Sequence, residues 1–218
     1  MDFLIKIYLK YDKILHGGNK SMQNIFLCNS KPKAFREANG ELFPEAPLRC
    51  MFEDCQMPVR MKKHGFYKRY IITYKYSGYI CIRRYICPCC GRTVSFLPSF
   101  LVPYFQYAFP YILAFLNGYF KRRQSLRKYV EWFKRKKDGF NRRHFRYYIN
   151  RIFLNRSLIQ YYLNLTDQDM IANEDAMASR LFAKSLLEKI HAVSPQYLSW
   201  NFFNVTGKSI LAPVQMIS

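Results

Sequence analysis

Apolar and polar positions alternate at Ile5, Ile7 and Leu9, a strand-like period that ends at a Gly17-Gly18-Asn19 turn. The stretch from Lys31-Pro32-Lys33 through Glu41 keeps no period and reads as a linker, so residues 1–45 form a lead-in. Phe66–Tyr76 is dense in aromatic and β-branched residues. Ser77-Gly78 then suits a hairpin turn, Tyr79–Ile86 a second strand and Val94–Phe96 a third. A sheet this small is too thin to be stable alone and needs an external tie.

Beyond residue 104 the period changes from two to 3.6. Four stripes fit one helical template: Phe109, Ile112, Leu113, Leu116; Leu126, Tyr129, Val130, Phe133; Phe145, Tyr148, Ile149, Ile152; and Leu158, Tyr161, Tyr162, Leu165. Pro110 sits near the start of the first helix, and Ser125 and Asn141 stand where the second and third need N-caps. One more helix is expected over about 176–191, followed by an irregular end with Pro195 and Pro213.

The cysteines supply the tie. Cys50 and Cys55 form C-x4-C, Cys87 and Cys90 form C-x2-C-G, and 31 residues, the length of a long hairpin, separate the pairs. Each pair can chelate one edge of a tetrahedron, and the hairpin brings the edges together. Gly91 lets the chain turn tightly enough for backbone N–H groups to face the thiolates. The predicted ligands to one structural Zn2+ are therefore Cys50, Cys55, Cys87 and Cys90, with His64 in reserve. Four thiolates leave no open position for a catalytic water. Cys89 should point away, and Cys28 and Cys81 are expected to be buried apolar fillers. Removing the metal should unfold residues 46–100.

The fold class that follows is α+β: a small β zinc ribbon followed by an α-helical helix-turn-helix array. The expected divisions are the lead-in 1–45, a zinc ribbon over 46–103, a helical region over 104–166, and a C-terminal helix and tail over 167–218.

Charge then narrows the partners. The formal net charge is +21, which favours polyanions, either nucleic acid or an anionic membrane surface. Residues 121–156 carry 14 basic and 2 acidic side chains, so more than half of the excess lies in that stretch. The second helix ends in Lys134-Arg135-Lys136-Lys137, and a turn follows at Asp138-Gly139. The third helix presents Arg142, Arg143, Arg146, Asn150 and Arg151 opposite its apolar stripe. Helix, short glycine turn and basic helix make the helix-turn-helix pattern, and arginine both reads guanine edges and grips phosphate. These nine residues are the expected contacts to DNA, with RNA as the alternative.

Residues 93–120 contain no charged side chain, a run long enough to cross a bilayer, but Pro98, Pro103 and Pro110 divide it, so no span is expected. No secretory signal is visible, because Lys6 and Lys10 interrupt the first apolar run. With an odd number of cysteines, this predicts a cytoplasmic protein.

The string Arg84-Tyr85-Ile86-Cys87-Pro88-Cys89-Cys90-Gly91-Arg92-Thr93, followed by Leu97-Pro98-Ser99-Phe100-Leu101-Val102-Pro103-Tyr104, resembles the N-terminal zinc-ribbon proteins of bacterial insertion-sequence transposases. His64-Gly65-Phe66-Tyr67-Lys68-Arg69-Tyr70 fits the same pattern, and the resemblance covers about residues 46–165. It implies that the ribbon and the following helices bind the ends of a mobile element. An RNase-H-like transposase also needs three carboxylates holding two metal ions. Here Asp167, Asp169, Glu174, Asp175 and Glu188 crowd into 22 residues with no strand pattern to spread them. The expectation is a recognition protein without its own catalytic residues. A neighbouring reading frame with the acidic triad would make it the targeting subunit of a separate transposase chain. The alternatives are a transposase whose active site is not recognisable and a transcriptional regulator.

Overall fold

The computed structural model describes residues 22–122, 124–136, 139–166 and 179–212, the side chains of Arg135 and Lys136 excepted. Among these, strands β1 (Met22–Phe26), β2 (Lys62–Ile72), β3 (Ser77–Ile86) and β4 (Thr93–Pro98) form one sheet in the order β1-β4-β3-β2. The β2–β3 and β3–β4 pairs are antiparallel, and β1 runs parallel to β4. Helix α1 (Pro32–Glu37) lies between β1 and β2 in the chain. After the sheet come α2 (Phe109–Lys121), α3 (Leu126–Lys136), α4 (Arg142–Leu154), α5 (Arg156–Leu165), α6 (Ser179–Lys189) and α7 (Pro195–Thr206). The chain is thus mixed α and β, with Cys50, Cys55, Cys87 and Cys90 at one side of the sheet.

Successive side chains of a strand point to opposite faces, and this sheet uses both. Ile25, Ile71, Ile80, Ile82 and Leu97 enter the main core together with the helices. Tyr85, Val94 and Phe96 point the other way, into a second buried cluster with Phe52, Met61, Cys50 and Cys87. The sheet is a middle layer, with the helices that follow it on one side and the cysteine loops on the other, where α1 borders the face that carries Lys68, Tyr79 and Cys81. The main core is continuous from Ile25 to Leu211.

The uncharged run 93–120 is the spine of this core. It supplies β4, then a loop, then α2, and Pro110 falls in the first turn of α2, where its missing N–H costs nothing. Among the described residues no helix is long and apolar enough to cross a membrane. Tyr129 of α3 donates its hydroxyl to the Phe115 carbonyl of α2 (2.7 Å). Gly118 makes room for that approach, since a Cβ there would lie 2.5 Å from the Tyr129 oxygen.

Four expectations need correction. Residues 32–37 of the expected linker form α1, whose Phe35 is buried against Phe43 and Phe100 with centroids 5.1 and 5.5 Å away. One well-placed ring was enough to anchor a segment too short to show a period. The hairpin turn lies at Thr73–Tyr76, because Thr73 Oγ1 accepts the Tyr76 N–H (2.8 Å) and closes the turn. Ser77 and Gly78 instead belong to β3, opposite Ile72 and Ile71. On α5 the buried stripe is Ile159, Tyr162 and Leu163, whereas Tyr161 and Leu165 are exposed. Tyr162 decides the rotation, meeting Phe202 (5.0 Å) and accepting a hydrogen bond from Asn201 (3.0 Å), both on α7. That helix replaces the expected irregular end: Pro195 occupies its first turn and Gly207, at φ +68°, closes it. Pro213 lies outside the described residues.

Candidate metal centre and basic helix face

Each cysteine pair sits on a loop shaped by its own backbone. In the first loop the Cys55 and Gln56 N–H groups both donate to the Phe52 carbonyl (3.0 and 2.9 Å), and Cys50 N–H donates to Met57 (3.0 Å). In the second, Gly91 N–H donates to Cys87 (3.0 Å) and Cys87 N–H to Arg92 (2.9 Å). Gly91 holds φ +69°, a conformation that favours glycine. The β2–β3 hairpin then carries the two loops to the same place.

There the Sγ atoms of Cys50, Cys55, Cys87 and Cys90 lie within 4.8 Å of one another. Cys50 and Cys90 are 3.8 Å apart and Cys55 and Cys87 3.9 Å, far beyond the disulfide bond length of about 2.05 Å. The four can hold one metal ion in an all-sulfur tetrahedron. Cys50 and Cys87 are buried, while Cys55 and Cys90 are half-exposed. Cys89 points to solvent, and His64 lies on an exposed part of β2, beside the bulge between Lys63 and Phe66, and is not a member of the sulfur cluster. Cys28 is buried. Cys81 is not: it is exposed on β3. The alternation Ile80-Cys81-Ile82 explains this, since both isoleucines face the helices and Cys81 must face away.

Arg92, to which the spacing argument assigned no role, ties the two loops together. Its guanidinium lies 4.2 Å from the Phe52 ring centre and 2.5 Å from Asp54 Oδ1, both on the first loop. Arg92 holds the Asp54 carboxyl below the usual carboxylate range. The thiols divide in acidity. Burial pushes Cys50 up to about 12. Burial also acts to raise Cys90, but hydrogen bonds from the Arg92 side chain and backbone outweigh it and bring Cys90 down to about 6. The arginine after the C-x2-C-G motif was the legible signal.

The expected basic contacts divide as follows. Lys134 is exposed on α3, Arg135 and Lys136 lie in its last turn, and Lys137 lies outside the described residues, as does Asp138. On α4, Phe145, Tyr148, Ile149 and Ile152 are buried, and Arg142, Arg143, Arg146 and Asn150 are exposed. Arg151 is half-buried, its guanidinium 5.0 Å from the Tyr147 ring. Of the acidic residues, Asp167, Asp169, Glu174 and Asp175 lie outside the described residues, and Glu188 pairs with Lys184 (3.6 Å) on the surface of α6.

Residues 53–132 match the family described as Domain of unknown function (DUF6431). The match takes in Cys55, Cys87, Cys90 and Arg92, begins after Cys50 and ends before α4. No curated protein and no solved structure matches the chain.

The start of α4 contains a titratable device. Asn141 Oδ1 accepts the N–H groups of Arg143 (2.9 Å) and His144 (3.0 Å), and His144 Nδ1 accepts the Asn141 N–H (3.2 Å). This capping box needs a neutral His144. Burial lowers the pKa of that histidine, although a hydrogen bond to the Gly139 backbone acts the other way. A depressed folded-state value gives stability that is complete above the unfolded pKa, near 6.5, and is lost as pH falls through the folded value. The His144→Gln variant keeps a capping side chain that does not titrate. Its melting temperature should therefore fall less than that of the wild type between about pH 7 and pH 5. Equal losses in thermal melts would refute the assignment.

Proposed function

We propose that this protein is a DNA-binding zinc ribbon with a helix-turn-helix, the recognition part of a mobile-element machinery that leaves cleavage to another chain. The observation that supports nucleic-acid binding most directly is the outer face of α4. Arg142, Arg143, Arg146 and Asn150 are all exposed, opposite a fully buried apolar stripe, in the most basic stretch of the chain. A helix anchored on one side and cationic on the other is suited to lie in a major groove. Zinc is the metal we assign. With Zn–S bonds of about 2.3 Å, a tetrahedron has S···S edges of about 3.8 Å, in keeping with the 3.8 and 3.9 Å observed. The mobile-element role rests on the resemblance of residues 84–104 to insertion-sequence zinc ribbons; a transcriptional regulator would use the same parts.

A salt titration tests the binding reading. If about five phosphates are neutralised, the log–log slope of affinity against salt should be about −4.5. Lys134→Ala should make it shallower by about one unit and weaken all sequences alike. Replacing whichever of Arg142, Arg143 and Arg146 reads a guanine should cost about 1–3 kcal/mol on the preferred site and much less on random DNA. Unchanged affinity in all four variants would remove α3 and α4 from the interface. A stronger response on RNA duplexes would change the ligand.

A further inference from the structure

Beside the basic face of α4 lies an open groove of about 320 Å³, within the size range of small-ligand sites. Tyr104, Phe105, Tyr107, His144, Tyr147 and Arg151 contribute to its lining, and among the described residues no acidic side chain does. Two of these rings are presented to solvent although they are large and apolar: Tyr104 is 79% exposed and Tyr147 43%. Tyr104 holds φ +67°, a conformation that favours glycine, so the chain carries backbone strain at the position that displays the ring.

The groove is built rather than incidental. Arg69 of β2 donates to the Val102 carbonyl and to that of Phe105 (2.8 Å), gripping the chain on both sides of Tyr104. Phe105 packs against Tyr147 with centroids 5.8 Å apart. Tyr107 stacks on Phe140 (4.4 Å), meets His144 edge-on (5.3 Å) and donates its hydroxyl to Gly139 (2.7 Å). The floor is therefore fixed by the same residues that set the start of α4. Tyr147 stands at the seam. On a helix its nearest surface neighbours are three and four residues away, here Arg143, His144, Asn150 and Arg151. One side of Tyr147 is the cationic face and the other is the groove.

We infer that this groove takes one unstacked nucleobase, sandwiched by Tyr104 and Tyr147, while Arg143 and Arg151 hold the adjoining phosphates. The inference rests on the nucleic-acid reading of α4 and adds the form of nucleic acid that the protein prefers. Aromatic faces stack on any base, and flanking arginines complement the backbone charge. An intact duplex offers no free base, so the groove distinguishes distorted, bulged or single-stranded segments from regular DNA. A partly melted element end is the kind of substrate that would present one.

The test compares a random-sequence duplex with the same duplex carrying one unpaired base. The wild type should bind the second more tightly by roughly 5- to 150-fold, the range one base stacked on an aromatic ring supplies. Tyr147→Ala and Tyr104→Gly should abolish that preference and leave affinity for the intact duplex unchanged. Glycine suits the φ of residue 104, so loss of fold does not confound the second variant. Tyr147→Phe should retain the preference. Lys134→Ala, on α3, should weaken both probes equally. Intact-duplex binding by the wild type with no gain from the unpaired base overturns the groove assignment and leaves the basic-helix reading standing. Failure to bind either probe overturns both.

Discussion

The purified protein should contain one zinc ion per chain, and Cys50→Ser, Cys55→Ser, Cys87→Ser and Cys90→Ser should each lose it. Apparent binding energies of structural zinc are about 10–16 kcal/mol, more than any other single interaction in the chain can contribute. Cys28→Ser, Cys81→Ser and Cys89→Ser should keep the metal, since those thiols stand outside the cluster. Elemental analysis of each variant decides the matter. An all-sulfur tetrahedron also suits iron, so an iron content with the matching absorption would change the ion but keep the site. Protons compete for the thiolates, so affinity should weaken as pH falls. Cys50, raised to about 12 by burial, adds a deprotonation cost to metal binding that Cys90, lowered to about 6, does not.

Chelation should have a local result. The expectation that residues 46–100 would unfold together assumed a hairpin held only by metal. In the folded chain, β2 and β3 place Ile71, Ile80 and Ile82 in the main core. The cysteine loops depend instead on the small cluster around Phe52, Met61 and Tyr85. Metal removal should release the amides of Cys50–Met61 to exchange while the sheet and helices persist. Trp132 and Trp200 both pack against the main core, so their fluorescence should change little. A large shift in tryptophan emission on chelation would show that the metal holds the whole molecule together.

Phe140→Ala should be the most damaging substitution away from the cysteines, destabilising by about 3–5 kcal/mol. Phe140 is fully buried in the connection between α3 and α4. It stacks on Phe115 with centroids 4.3 Å apart and planes 8° from parallel, and on Tyr107 at 4.4 Å. Tyr111, Phe133 and Tyr148 surround it. Deleting the ring leaves a void bordered by rigid aromatic planes, which cannot collapse to fill it. Denaturant melts should show the loss, whereas Tyr147→Ala, on the exposed side of α4, should stay within about 1 kcal/mol of wild type. A small effect at Phe140 would mean that this cluster rearranges freely. The position of the basic helix depends on that cluster, so the variant should also lose any sequence preference in DNA binding before it unfolds.

The cysteine pairs were legible because chelating spacing is a local property of the chain, and so was Gly91, whose positive φ the turn requires. The stripes of α2, α3 and α4 were legible for a similar reason. On α3 and α4 charge lies on one side, so only one rotation buries the apolar side, whereas α2 has no charge before Lys121 and is buried on most of its surface, Tyr111, Phe115 and Tyr119 included. The parts that depended on distant contacts were not legible. Nothing near Met22–Phe26 announces a parallel partner in Thr93–Pro98, and nothing in Pro32–Glu37 except Phe35 announces a buried helix. On α5 the apolar arc is wide enough to fit two rotations, and only Phe202 and Asn201, about forty residues on, select one. The exposure of Cys81 could have been read from the isoleucines on either side. The groove that Tyr104 and Tyr147 both line could not, because it arises only when Arg69 grips one loop and Phe140 sets the start of one helix. Spacing along a chain encodes what each element can do; the choice of neighbours is made by packing, where many weak contacts at long sequence separation act together.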